Sequence, residues 1–178
     1  MDDLADLLLF ASEYESVARS RFDDSLSLAV DSLRLLSMEE KGPIESWRSN
    51  IKACSALCQI GKILRYQDRL ELSCACVSRA LNVLEKLKPC IEVEFELVST
   101  LHELGLVQTK LRKLDSANRT LNRALDIKRH LQSMNEKHVV NISSTLYALA
   151  RVLSLCKPAQ LERSEILLLQ SLELERNN

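Results

Sequence analysis

Six cysteines and three histidines are the residues of this chain whose types and spacing invite chemistry. Cys54 and Cys58 stand four apart, and Cys74 and Cys76 follow within one further helix length. Four thiolates converging tetrahedrally would hold zinc. The spacing of Cys54 and Cys58 brings two thiols onto one helix face, whereas Cys74 and Cys76 point to different sides of their helix. These cysteines therefore read as small buried hydrophobes and not as a metal site. Cys90 and Cys156 complete the set. No secretory signal is read, because the start Met1-Asp2-Asp3 is acidic and the apolar run 7–11 is short. Reduced thiols follow from that reading.

His102-Glu103 evokes a zinc-protease helix, but no second histidine lies at the required spacing. His130 and His138 have no nucleophile in sequence context, so the histidines read as surface or groove residues. Gly61 and Gly105 are single glycines inside helical patterns, so no phosphate-cradling loop is present. Glu92, Glu94 and Glu96 form an acidic turn at a helix start, where the helix dipole favours them. No catalytic, metal or cofactor site is expected, and the chain reads as a non-enzyme.

These residues must be positioned by helices. Apolar residues recur at three- and four-residue steps, which is the helix period. Gly and Pro number three each, too few for a turn-rich sheet protein. Hydrophobic residues make up 46% and charged residues 28%, enough for a core and a soluble surface. Breaks near 19–23, Lys41-Gly42-Pro43, 66–69, Lys88-Pro89, 113–115, 133–137 and Lys157-Pro158 divide the chain into eight predicted helices. Their spans are 3–19, 23–40, 43–65, 68–87, 91–112, 115–134, 137–155 and 159–176. Asp115 is a candidate N-cap, Asn135 a candidate C-cap, and Pro43 suits a first helical turn. One domain over 1–178 is expected, in pairs 3–40, 43–87, 91–134 and 137–176.

The pairs repeat. Gly61 to Gly105 is 44 residues, and so is Ala80 to Ala124. The last pair aligns through Leu149-Ala150, Ser164, Leu168 and Ser171-Leu172, with two extra residues near Lys157-Pro158. The first pair aligns weakly through Phe10-Ala11, Ala29 and Ser32-Leu33. A small residue midway along the first helix lets the second approach closely, and leucines fill the gaps between. One hairpin cannot bury its apolar stripe alone, so neighbouring pairs must stack.

With this pattern the sequence resembles the tetratricopeptide-repeat family. The clearest match is LHELGLVQTKLRKLDSANRTLNRALDI, residues 101–127, with a large–large–Gly first helix and an Ala…Ala-Leu second helix. The period of 44–45 residues exceeds the usual ~34 and resembles the long-helix subtype of kinesin light chains. KHVVNISSTLYALARVL, around His138, resembles that subtype's His-containing loop. Leu57, Leu101 and Leu146 stand where the family has Trp and Tyr. The resemblance implies an all-α, right-handed α-solenoid of about four antiparallel helix pairs that binds other proteins.

On such a solenoid the first helix of each pair lines the concave side. The expected lining is Ser55, Cys58, Gln59, Lys62 and Arg65, then Ser99, His102, Glu103, Leu106 and Thr109, then Ser144, Tyr147, Ala148, Arg151 and Ser154. Lys62, Arg65, His102, Leu106, Tyr147 and Arg151 are the candidate partner-binding residues, suited to a peptide or helix of acidic character. The asparagines of the family's chaperone-binding carboxylate clamp are absent from the matching positions. A second candidate interface is the apolar last pair, Ile166 to Leu169 with Leu172, open to a homodimer or end-on stacking. The net charge of −1 argues against nucleic acid and anionic membrane as partners. The expected role is an intracellular adaptor, cytoplasmic or nuclear; the alternative is a helical regulatory region of a larger enzyme or complex.

Overall fold

The computed structural model describes residues 46–134, 141–156 and 160–176. The described residues are helical without strands: α1 (Ser46–Tyr66), α2 (Leu70–Leu84), α3 (Ile91–Lys110), α4 (Leu114–Met134), α5 (Ser143–Leu155) and α6 (Leu161–Arg176). The first predicted pair, Pro43, Asn135, His138 and the Lys157-Pro158 break lie outside the described residues. The chain divides into two compact units, Met1–Glu96 and Leu97–Asn178.

In the first unit α1 and α2 form an antiparallel hairpin. Cys54 near the start of α1 meets Ala80 near the end of α2, its thiol donating to the Ala80 carbonyl at 3.5 Å. Midway, Gly61 faces Val77 and the Ser73 carbonyl; a Cβ on Gly61 would collide with the Val77 side chain. Cys54, Ile63, Val77, Ala80 and Leu84 are almost fully buried here. The small residues are thus the price of close approach between two long helices.

The second unit repeats this construction. Gly105 on α3 faces Leu121 on α4, where a Cβ would lie 2.5 Å from the Leu121 Cγ. Between α5 and α6 the Ser164 hydroxyl donates to the Ala150 carbonyl at 2.9 Å, and the Ser171 hydroxyl to the Ser143 carbonyl at 3.0 Å. Ala117, Leu121, Leu125, Leu146, Leu149 and Val152 form one buried cluster, with Leu167 and Leu174 of α6 packed on it.

The turns after α1 and α3 are the same object. Asp68 and Arg112, 44 residues apart in the sequence, both have φ of 61°. Around Asp68, Arg69 N–H donates to Leu64 O at 2.9 Å and Asp68 N–H to Arg65 O at 3.2 Å. Around Arg112, Lys113 N–H donates to Gln108 O at 2.9 Å and Arg112 N–H to Thr109 O at 3.1 Å. This pair of bonds is the Schellman closure of a helix. It corrects two boundaries. Asp68 ends one helix instead of beginning the next, so α2 starts at Leu70. Asp115 is not a cap but lies in the first turn of α4, where its charge still suits the dipole. α5 begins at Ser143, its first turn held by Asn141, whose Oδ1 accepts from Ser144 N–H at 3.0 Å; the expected start at 137 lies outside the described residues.

Candidate functional site

α5 is buried on nearly every side. Ser143, Thr145, Leu146, Ala148, Leu149, Ala150, Val152 and Leu153 are all interior. What remains outside is a stripe of Ser144, Tyr147, Arg151 and Ser154, at steps of three, four and three, with Leu155 exposed at the end of the helix. Tyr147 is 52% exposed, unusual for a large aromatic. Arg151 follows one turn later and is also exposed.

Behind the stripe lies a polar relay. Lys128 of α4 is only 7% exposed. Its ammonium donates to Asn141 O at 2.6 Å and Thr145 Oγ1 at 2.8 Å, with Ser144 Oγ at 3.5 Å. Thr145 Oγ1 lies 3.2 Å from His102 Nδ1 of α3. Thr145 Oγ1 thus accepts from Lys128 and pairs with His102 Nδ1, the tautomer of the imidazole setting which of the two donates. Lys128 meets oxygen acceptors and no carboxylate among the described residues. Burial lowers its amine from an ordinary 10.5 to about 8. The relay ties α3 and α4 to the N-terminal end of α5, the helix that carries Tyr147 and Arg151.

The six candidate residues divide between the units. Lys62 and Arg65 belong to the first. Both are half-buried, and the Arg65 guanidinium sits 4.5 Å over the Tyr66 ring at the end of α1. The other four belong to the second: His102 is held by Thr145, Leu106 packs on the buried cluster, and Tyr147 and Arg151 face solvent. Four residues of the wider expected lining are instead interior. Cys58 is 7% exposed, Glu103 6%, Thr109 6% and Ala148 2%. Thr109 turns its hydroxyl back to Gly105 O at 2.7 Å, and Ala148 is enclosed by the core cluster.

Lys128 was not among the residues singled out from sequence. Its signal was present, since it continues the stripe Ala117, Leu121, Ala124-Leu125 towards Leu131. A lysine on an apolar stripe is either snorkelling or bonded inside, and here it is bonded. The cysteines bear no such arrangement. All six are free, and burial pushes the Cys54 thiol up to about 12, with Glu96 adding to the effect. Among the described residues no cluster of His, Cys, Asp or Glu fits a metal ion, and no helix is long and apolar enough to cross a membrane.

This helical arrangement is similar to the crystal structure of BtubC (BKLC) from P. vanneervenii, a TPR-like, kinesin light chain-like helical protein, with a TM-score of 0.75 and 15% sequence identity. The match covers 99% of this chain and 65% of that one, so the chain spans just under two thirds of its neighbour's length. The fold of this chain is TPR-like. No family model matches the sequence, and no curated protein matches it.

Proposed function

We propose that this chain is a non-catalytic protein-interaction scaffold that holds a peptide or helix of a partner protein. The observation that carries the reading is the α5 stripe. A helix whose other side chains are mostly interior projects an aromatic ring and a guanidinium, Tyr147 and Arg151, one turn apart. Tyr and Arg are the side chains that contribute most at protein interfaces, through apolar area and bidentate hydrogen bonds respectively. His102 and Leu106 of α3, both half-buried, add a donor and an apolar contact in the same unit. The cation selects an acidic segment, the ring an apolar residue near it. Lys62 and Arg65 carry similar chemistry on the first unit. The TPR-like fold is consistent with this reading, since such folds build binding surfaces from stacked helix pairs.

The test is a display selection of randomised 16-residue peptides on the wild-type chain, followed by fluorescence anisotropy titration of the selected peptides. Tyr147→Ala and Arg151→Glu are each expected to weaken binding at least about tenfold. Equal affinity for all three proteins would remove the reading.

A further inference from the structure

The outer face of α6 lies apart from the Tyr147–Arg151 stripe, and a different observation concerns it. Ser164, Leu167, Ser171 and Leu174 turn inward. Elsewhere on α6 Leu161 is 66% exposed, Ile166 55%, Leu169 59% and Leu172 53%. Of these, Leu169 and Leu172 stand three residues apart as neighbours on the helix surface and form an apolar contact that a partner would cover.

The charges show which partner fits. Glu165, Leu169, Leu172 and Arg176 follow at steps of four, three and four and so share one stripe of the helix. Read in reverse, the stripe keeps its chemistry: the acid exchanges with the base, and each leucine with the other. A two-fold axis between Gln170 and Ser171 therefore sets Glu165 against Arg176 of a second copy, twice, and Leu169 against Leu172, twice. This is the self-complementarity an isologous contact requires. A parallel pairing would set like charges together. Glu165 and Arg176 are both exposed, so each can reach a facing helix. Glu162 and Glu173 flank the stripe and remain at its solvated edge.

We propose that α6 is a homodimerisation helix, which pairs antiparallel with α6 of a second copy through Leu169 and Leu172, closed at each end by Glu165 and Arg176. The partner is this chain itself. The inference goes beyond the scaffold reading and does not depend on any peptide being bound. The stripe is about 16 Å long at 1.5 Å per residue, and such a contact lies at the small end of specific interfaces, so the dimer should dissociate in the micromolar range.

Sedimentation equilibrium from about 5 to 300 µM tests it, with circular dichroism confirming that each variant is folded. The wild type should fit a monomer–dimer equilibrium. Leu169→Glu should be monomeric throughout with unchanged helicity. Glu165→Arg should weaken association about tenfold or more, because Arg then faces Arg, and the double variant Glu165→Arg/Arg176→Glu should recover most of it. A wild type that stays monomeric at 300 µM overturns the proposal, as it would if the patch served a different protein. So does a dimer that persists equally in Leu169→Glu, or a double variant no tighter than Glu165→Arg.

Discussion

The Ser73 hydroxyl donates a 2.6 Å hydrogen bond to the carbonyl of Gly61 on the preceding helix. Ser164 does the same to Ala150 at 2.9 Å, and these are equivalent places in the 44–45-residue period. In the pair between them Ala117 stands where the serine would be, so the repeat packs with or without the bond. What does not vary is the small residue on the first helix, Gly61, Gly105 or Ala150.

Substitutions at this contact should separate space from hydrogen bonding. Ser73→Ala removes one buried donor and should cost about 1 kcal/mol. Gly61→Ala should gain up to about 1 kcal/mol of helix propensity yet lose more, because the new methyl meets Val77 and the Ser73 carbonyl. A net loss of about 1–3 kcal/mol is expected. Urea denaturation of both variants checks the order, and a Gly61→Ala protein more stable than wild type would contradict the packing described.

The two left-handed turn residues invite the opposite experiment. Asp68 and Arg112 each hold a conformation that L side chains adopt at a cost. Asp68→Gly and Arg112→Gly should therefore each stabilise the fold by about 0.5–1 kcal/mol. Thermal and urea unfolding would reveal it, and destabilisation at both sites would mean the side chains contribute contacts beyond the turn.

Lys128 should leave a signature in the pH dependence of stability. Its amine lies at about 8 when folded, against an ordinary 10.5. Between those values the unfolded chain holds a proton that the folded chain has released, so stability rises with pH through this window. Below about 8 both states are protonated and the slope vanishes. Relative to Lys128→Met, the wild type should gain about 1–2 kcal/mol between pH 7.5 and 9.5. The comparison with the variant cancels the contributions of the other ionisable groups. A flat difference would place the ammonium in a wetter site.

The thiols should divide by burial. At pH 8, Cys54 and the buried Cys58 should resist iodoacetamide in the folded protein, because Cys54 is pushed up to about 12 and Cys58 is enclosed. Cys74, Cys76, Cys90 and Cys156 are half-exposed and should label first. Mass spectrometry of digested samples reads the order directly, and early modification of Cys54 would contradict the packing of α1 on α2.

Much of this was legible in the residues. The period carried by Gly61, Gly105, Ala80 and Ala124 located helix pairs because close packing admits only small side chains there. The Tyr147–Arg151 stripe was legible because helical spacing assigns it a face. The turns were less so: a left-handed Asp68 or Arg112 looks like an ordinary polar residue, since the bonds that hold it are backbone to backbone. Cys58, Glu103, Thr109 and Ala148 escaped because the helical angle alone does not tell how much of a helix's circumference its neighbours cover. The Lys128–Thr145–His102 relay escaped because it joins three helices, and single-helix patterns carry no information across that distance.

The Schellman turns carry one further consequence, for the lengths the chain can tolerate. Three residues separate α1 from α2 and α3 from α4, with Asp68 or Arg112 at the bend. One inserted residue would rotate the following helix by about 100° and carry Ser73 or Leu121 away from its glycine. These connectors act as rulers and should reject insertions. α5 leaves differently, through Cys156 in an extended conformation with φ of −78° and ψ of 135°. Five residues in all, Cys156 the first, separate α5 from α6, and this is where the last pair accommodates its two additional positions. Length variation should therefore concentrate at this exit, sparing the rigid hairpins upstream.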